Sequence, residues 1–427
     1  MITADQIIKR FEGLEAGRRE MERAWRKCAD YVLPRLAPAP GRGLIFDSTA
    51  PLAAPRLGAV LEAVLTPRGR RWHGLAPASG RPGLADEYLA EVLDILFQAR
   101  LRPEANFHNQ MSEAYLSLGV FGTAVMMVDD HPGLGLRYKC LPLQETYLAE
   151  NYAGRVDTVF RLYKLTARQA LMEFGKNLPE PIQRDAADPG RLENEHEFIH
   201  GLFPRRDLEP GRAGPLQMPV ASIQVARAAR QVVRESGYRV MPLAVSRFGV
   251  SPGQVYGRSP AMEAMPDIVQ INAMKKTLLR AAEKMVNPPL LLPEDEVLSA
   301  FSLRAGSLNY GGLDDQGRQR VVALKLDGQL PIGLSMIEKA REVIEGAFYL
   351  KLFQILTETP NQTAAEVWER AREKAQLLGP VLGRQQSELL RPLIDRELDI
   401  LRAAGALPPP PAGWGELPTA DFQEGDL

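Results

Sequence analysis

At 427 residues the chain is longer than one hydrophobic core usually organises, so two or three folded regions are expected. Its 52 Lys and Arg against 53 Asp and Glu leave a net charge of −1, which argues against a protein that grips nucleic acid over a broad basic face. No window of about 18 uncharged apolar residues could cross a membrane, and MITADQIIKRFEGLE lacks the apolar core of a signal peptide, so a cytoplasm-like setting is expected. Cys28 and Cys140 fit no Cys-x-x-Cys spacing and are expected to be free thiols.

From Ile2 to Leu36, the apolar positions Ile7, Phe11, Leu14, Met21, Trp25, Ala29 and Val32 recur at helical steps, which predicts one long amphipathic helix. A second helix follows PRLAPAPGRG, with Asp47 or Ser48 as its N-cap and Leu52, Leu57, Val60, Leu61, Val64 and Leu65 on one side. Helical runs at 86–99 and 106–118 come next. After Gly122 the texture changes: TAVMMVDD, LGLRYK and VDTVFRLYKL are short, β-branched or aromatic, and separated by the turn signals HPGLG and NYAGR. They predict strands. A short helix at 166–176 interrupts them, and FIHGLF, ASIQVARAARQVVRESGYRV and PLAVSRFGV continue a region that is mostly strand.

Beyond Ser259 helices return. The first spans 259–287, with Ser259 as cap, Pro260 in the first turn and Pro266 placed to kink it one turn later. Residues 288–330 read as a strand-and-turn insert, and 331–356 as a second helix. A third starts after TETPNQ, where Thr363 and Glu366 have capping-box spacing, and runs to about Arg402 with Pro380 and Pro392 bending it. The tail ALPPPPAGWGELPTADFQEGDL reads as extended or partly disordered.

HEFIH at 196–200 has the pattern of zinc peptidases. On a helix His196 and His200 would share one face and Glu197 could activate a water, whereas on a strand they would stand about 13 Å apart. Gly201 and Pro204 leave a helix no room to continue, and no histidine follows to serve as a third ligand. A zinc hydrolase is therefore the alternative reading, and chance occurrence the favoured one. No Gly-rich loop ending in Gly-Lys-Ser/Thr exists, and Ser259 followed by Pro, with no histidine nearby, reads as a helix cap rather than a nucleophile. The first of the later helices carries Lys275, Lys276, Arg280 and Lys284, and the second carries Lys339 and Arg341 among acids. Read alone, each is a solvated face.

Read together, three blocks resemble the portal, or head-to-tail connector, family of short-tailed bacteriophages: GQVYGRSPAMEAMPDIVQINAMKKTLLRAAEKMVNPPLLLP (253–293), AGSLNYGG (305–312) and TAAEVWERAREKAQLLGPVLGRQQSELLRPLIDRELDILRAAGALPPPP (363–411). RAWRKCADYVLPR and FDSTAPLAAPRLGAVLEAVLTPRGRRWHGL extend the resemblance across almost the whole chain. It departs at the C-terminus, where this chain is short. The resemblance implies an α+β portal-type fold: a helical and β wing over 1–258, a two-helix stem at 259–287 and 331–356, a small β-rich clip at 288–330, a tunnel loop at 357–363, a long kinked helix at 364–405, and a Pro-rich tail at 406–427 in place of a large crown.

It also implies a protein with no catalytic residues and no cofactor, acting as a homo-oligomeric ring of about twelve subunits. Double-stranded DNA would pass through that ring at one capsid vertex of the virion, which assembles in the host cytoplasm. The implied partners are the terminase large subunit, a head-tail adaptor, and capsid and scaffold proteins, with no membrane. Lys275, Lys276, Arg280, Lys284, Lys339 and Arg341 become candidates for the DNA channel. Thr357, Glu358, Thr359, Pro360, Asn361, Gln362 and Thr363 become the tunnel loop, and Gly257, Arg258, Ser259 and Pro260 the hinge and cap where wing turns into stem. A different ring-shaped adaptor of head or tail is the remaining structural alternative.

Overall fold

A computed structural model describes residues 2–33, 45–77, 86–131, 135–205, 214–291, 330–350, 379–411 and 418–422, and between 302 and 324 residues 302, 304, 306–308, 313 and 316–324. The fold is a mixture of helices and antiparallel strands. Helix α1 (Ala4–Val32) starts at Thr3, whose hydroxyl accepts from the amide of Gln6 while the Gln6 side chain accepts from the Thr3 amide. Its buried positions Ile7, Phe11, Trp25 and Val32 follow the predicted stripe. Each such side chain removed from water contributes about 1.5–3 kcal/mol. Helices α2 (Thr49–Leu65), α3 (Asp86–Leu101) and α4 (Phe107–Phe121) then contribute Leu57, Leu61, Leu96, Met111, Tyr115 and Leu118 to the largest core. Leu52, expected on the buried side of α2, is exposed.

A short strand β1 (Gly74–Ala76) lies between α2 and α3. Past Gly122 the chain builds two antiparallel sheets. In the first, β2 (Thr123–His131) lies between β3 (Gly135–Cys140) and a later strand, Leu243–Arg247. In the second, β4 (Thr146–Glu150), β5 (Val156–Thr166), β6 (Glu195–Pro204), β7 (Val220–Ala226) and β8 (Gln231–Tyr238) pair in chain order. Leu243–Arg247 is β9. The five-stranded sheet is covered on both faces, as the alternation along β6 records. Ile199 and Phe203 join Ile7, Ile8 and Phe11 of α1. Phe198 joins Phe174 and Ile182 from α5 (Ala167–Phe174) and α6 (Glu180–Ala187).

After β9 the chain turns into α7 (Pro260–Glu263) and α8 (Met265–Val286), crosses a β-ribbon of β10 (Leu290–Leu291) and β11 (Val322–Ala323), and returns through α9 (Leu330–Ala347). The kink predicted near Pro266 is present as the non-helical step at Ala264 between α7 and α8. Within the helix expected over 331–356, α9 ends at Ala347, where Gly346 weakens the last turn and Tyr349 adopts φ 59°, in the left-handed region that interrupts helices; Leu350 is helical again, and 351–356 lie outside the described residues. The expected capping box at Thr363 and Glu366 and the tunnel-loop residues lie outside the described residues.

The C-terminal helix changes its winding where a bend was expected. One π-helical turn at Gln386–Leu390 precedes α10 (Arg391–Ala403), and Pro392, which has no amide hydrogen to donate, falls in the turn where the winding changes. Gly405, with φ 66°, closes α10 as Ala406 N donates to Leu401 O. The tail is not wholly loose: β12 (Thr419–Asp421) pairs antiparallel with β1 and buries Ala420.

Candidate functional site

The turn at 257–260 is a fixed joint. Gly257 packs back to back with Gly122, and a Cβ on either would collide with the other's carbonyl oxygen. Gly122 also has φ 77°, so glycine is required there twice over. The Gly257 amide donates to Thr123 Oγ1 at 2.9 Å, and Arg258 and Gly249 exchange backbone hydrogen bonds at 2.7 and 3.2 Å. Ser259, fully buried, donates its hydroxyl to Val120 O at 2.8 Å and accepts from Met262 N at 3.0 Å. It is the predicted N-cap, with Pro260 in the first turn. The Arg258 side chain is exposed.

From this joint α8 extends 22 residues, about 33 Å at 1.5 Å per residue. Helix α9 runs back antiparallel along it, with Gly333 against Leu278 near the ribbon and Arg341 level with Lys275 at the other end. Ile268, Ile271, Ile337, Ala340, Ile344 and Phe348 bury the end of this hairpin away from the ribbon in the main core. Other apolar side chains along the hairpin face solvent: Leu279 is 52% exposed, Ile332 56%, Leu334 54% and Val343 53%.

The six candidate channel cations separate into two sets. Lys275 Nζ and Arg341 Nη2 lie 3.1 and 3.0 Å from the same oxygen, Oδ2 of Asp47, whose side chain is 2% exposed. Lys276 Nζ sits 5.5 Å from the centre of the Phe46 ring. Arg280, Lys284 and Lys339 are exposed on the outer parts of the helices. Burial pushes the Asp47 carboxyl up, but hydrogen bonds from Thr49, Arg341 and Lys275 outweigh it and hold it at about 2, so the acid is ionised. Asn272 completes the contact: its Oδ1 accepts from the amides of Phe46 and Asp47 at 2.7 and 3.1 Å, and its Nδ2 donates to Ile268 O. The sequence marked Asp47 only as a candidate cap for α2 and did not mark Asn272 at all.

HEFIH lies in strand β6, which removes the geometric basis for a shared zinc. His196, Phe198 and His200 occupy one face, and four residues of strand separate the two imidazoles by about 13 Å. His196 Nε2 lies 3.2 Å from Asp185 Oδ2 of α6, and His200 Nε2 lies 2.9 Å from Ser222 Oγ on β7. Among the described residues no group of three or more His, Cys, Asp or Glu could hold a metal ion. Cys28 and Cys140 are free thiols, each pushed up to about 12 by burial. No helix among the described residues is long and apolar enough to cross a membrane.

Beneath the tail strand lies a buried polar cluster that sequence reasoning did not foresee. Arg100 Nη2 meets Glu397 Oε2 at 2.5 Å, Tyr138 donates to Glu397 Oε1 at 2.6 Å, and Arg100 Nη1 donates to His73 Nε2 at 2.7 Å. His73 Nδ1 therefore carries the imidazole proton and donates it to Gly74 O at 2.9 Å. The guanidinium is stacked against Trp72 and Phe97. These contacts join α3, β3, α10 and the start of β1 as a structural knot.

A family model described as bacteriophage head to tail connecting protein matches residues 4–420. The chain is 31% identical over 423 residues to a probable portal protein of Bordetella phage BPP-1, covering 95% of this chain and 76% of the relative. It is 27% identical over 424 residues to a portal protein of Salmonella phage epsilon15, with the same coverages of 95% and 76%. Among solved structures, a chain in the neck of an empty gene transfer agent particle aligns over 82% of this chain and 78% of its own, at 13% identity and a TM-score of 0.43. A chain in the native gene transfer agent virion aligns over 87% and 80%, at 11% identity and a TM-score of 0.42.

Proposed function

This chain belongs to the bacteriophage head to tail connecting protein family, and from that premise we propose that its copies close into a ring at one capsid vertex through which double-stranded DNA is packaged and ejected. It acts as the portal protein of the head-to-tail connector, a structural and translocation component that serves a separate ATP-driven terminase and later a tail adaptor. In this reading residues 1–258 are the wing, 259–287 and 331–356 the stem, 288–330 the clip, 357–363 the tunnel loop, and 364–405 the long kinked helix behind it. About twelve subunits form the ring.

The observation that carries the reading is the α8–α9 hairpin. It projects from a well-packed wing, ends in a β-ribbon, and leaves Leu279, Ile332, Leu334 and Val343 in water. A lone chain has no use for bare leucines on a helical rod, whereas head-to-tail copies would bury them against neighbours. The charge pattern fits a wall that guides DNA without holding it. Each phosphate neutralised adds salt-dependent affinity, so a strongly basic bore would stall a sliding duplex. Arg280, Lys284 and Lys339 are instead interspersed with Glu283, Glu342 and Glu345. Electron microscopy of the purified full-length chain tests the reading. The expected image is a ring with a central hole wide enough for a duplex, and a compact monomer at every concentration would end it.

A further inference from the structure

We propose that Asp47 is the counter-anion of the stem: it fastens α8 and α9 to the wing and withholds Lys275 and Arg341 from passing DNA. The inference rests on the portal reading for its physiological meaning, but its geometry belongs to a single chain. Both carboxylate oxygens are committed. Oδ1 accepts from Thr49 N at 2.9 Å in the first turn of α2, and Oδ2 receives Lys275 Nζ at 3.1 Å and Arg341 Nη2 at 3.0 Å. The grip is reciprocal, because Asn272 on α8 takes the backbone amides of Phe46 and Asp47. Glu338, 2.6 Å from Arg341 Nη1, adds a second acid to the same guanidinium.

The energetics favour a standing contact over a transient one. Asp47 is almost wholly out of water, so its charge cannot fall back on hydration if the two cations leave. Lys275 and Arg341 retain 29% and 33% of their side-chain exposure, so they sit at the rim of the contact where DNA phosphate would otherwise compete for them. An ionised carboxylate already bridging both is the better partner, being fixed in place and partly desolvated. The six-residue cationic set is thereby reduced: Arg280, Lys284 and Lys339 remain for DNA, Lys276 rests partly on Phe46, and Lys275 and Arg341 are structural.

The test is a salt titration of affinity for a short DNA duplex, using the full-length chain. The variants are Asp47→Asn, Lys275→Gln with Arg341→Gln, and Arg280→Gln with Lys284→Gln. Replacing Lys275 and Arg341 is expected to leave the slope of log affinity against log salt as in the unsubstituted protein, whereas replacing Arg280 and Lys284 flattens it. Asp47→Asn is expected to steepen it by up to about 0.9 per freed cation. A flattening by the Lys275 and Arg341 pair equal to that of Arg280 and Lys284, or an Asp47→Asn slope indistinguishable from the starting protein, overturns the proposal. Should either Asp47→Asn or the Lys275 and Arg341 pair fail to fold, the slope of the other against the unsubstituted protein still decides it. Absence of a ring in micrographs of the same unsubstituted sample would count against the portal reading alone, since the slopes are read on whatever species is present.

Discussion

His200 shows how an individual side chain in this protein is governed by its surroundings. Burial first, then repulsion by Arg161 and Arg234, hold its imidazole down at about 3 from an ordinary 6.5. The folded chain therefore refuses a proton that the unfolded chain accepts, and the stability His200 lends is complete above pH 6.5 and lost as pH falls toward 3. Over that interval the slope is about 1.4 kcal/mol per pH unit. Urea midpoints measured from pH 7 to 4 should show His200→Gln with a slope shallower by that amount, and equal slopes would mean that the folded chain protonates His200 freely. His73, also held at about 3 by burial and by Arg100, supplies a parallel dependence that the variant leaves untouched. The histidines of HEFIH were visible in sequence, and so were the breaks at Gly201 and Pro204 that weighed against a helix. Their actual partners, Asp185 and Ser222, were not, because neighbours across a sheet or under a helix leave no local trace. Asp47 is the stronger case, with Lys275 228 residues away.

Elements were legible where local chemistry alone determines them. Ser259 and Pro260 begin α7, the region of Pro266 separates it from α8, Thr166 caps α5, and Gly122 marks the passage from helices to strands. Four short elements escaped: β1, β4, α6 and β12 have three, five, eight and three residues, too few for a period to show. The end of α9 escaped for a different reason, since nothing in the amphipathic run to Leu356 announces the left-handed Tyr349. β12 exists because β1 offers an edge and the core offers a place for the Ala420 methyl, which is 2% exposed. Placing a carboxylate there should release the strand. For Ala420→Asp, faster amide exchange at Gly74–Ala76 and a loss of about 1–3 kcal/mol in unfolding free energy are expected. Unchanged exchange would show that the tail strand is held by something other than its buried alanine.

At the scale of the whole molecule, the question is what the bare stem residues are for. A head-to-tail contact joins two different surfaces, and repetition of it produces either a closed ring or an open filament. Leu334 and Val343 are 54% and 53% exposed on α9, so the single chain gains little from their apolar character. Replacing both with Asp should therefore alter the stability of the isolated chain by no more than about 0.5 kcal/mol per site. In a ring the same change repeats at every contact, where two carboxylates would have to be desolvated against a neighbour's apolar side chains, a cost far above that of the original burial. The double variant Leu334→Asp with Val343→Asp is accordingly expected to keep its circular dichroism spectrum and urea midpoint while sedimenting as a monomer with no rings in micrographs. Intact rings from that variant would mean that neither of these two opposite flanks of α9 joins subunits, and the contact would then have to be sought on the outward residues of α8, Leu279 and Met285.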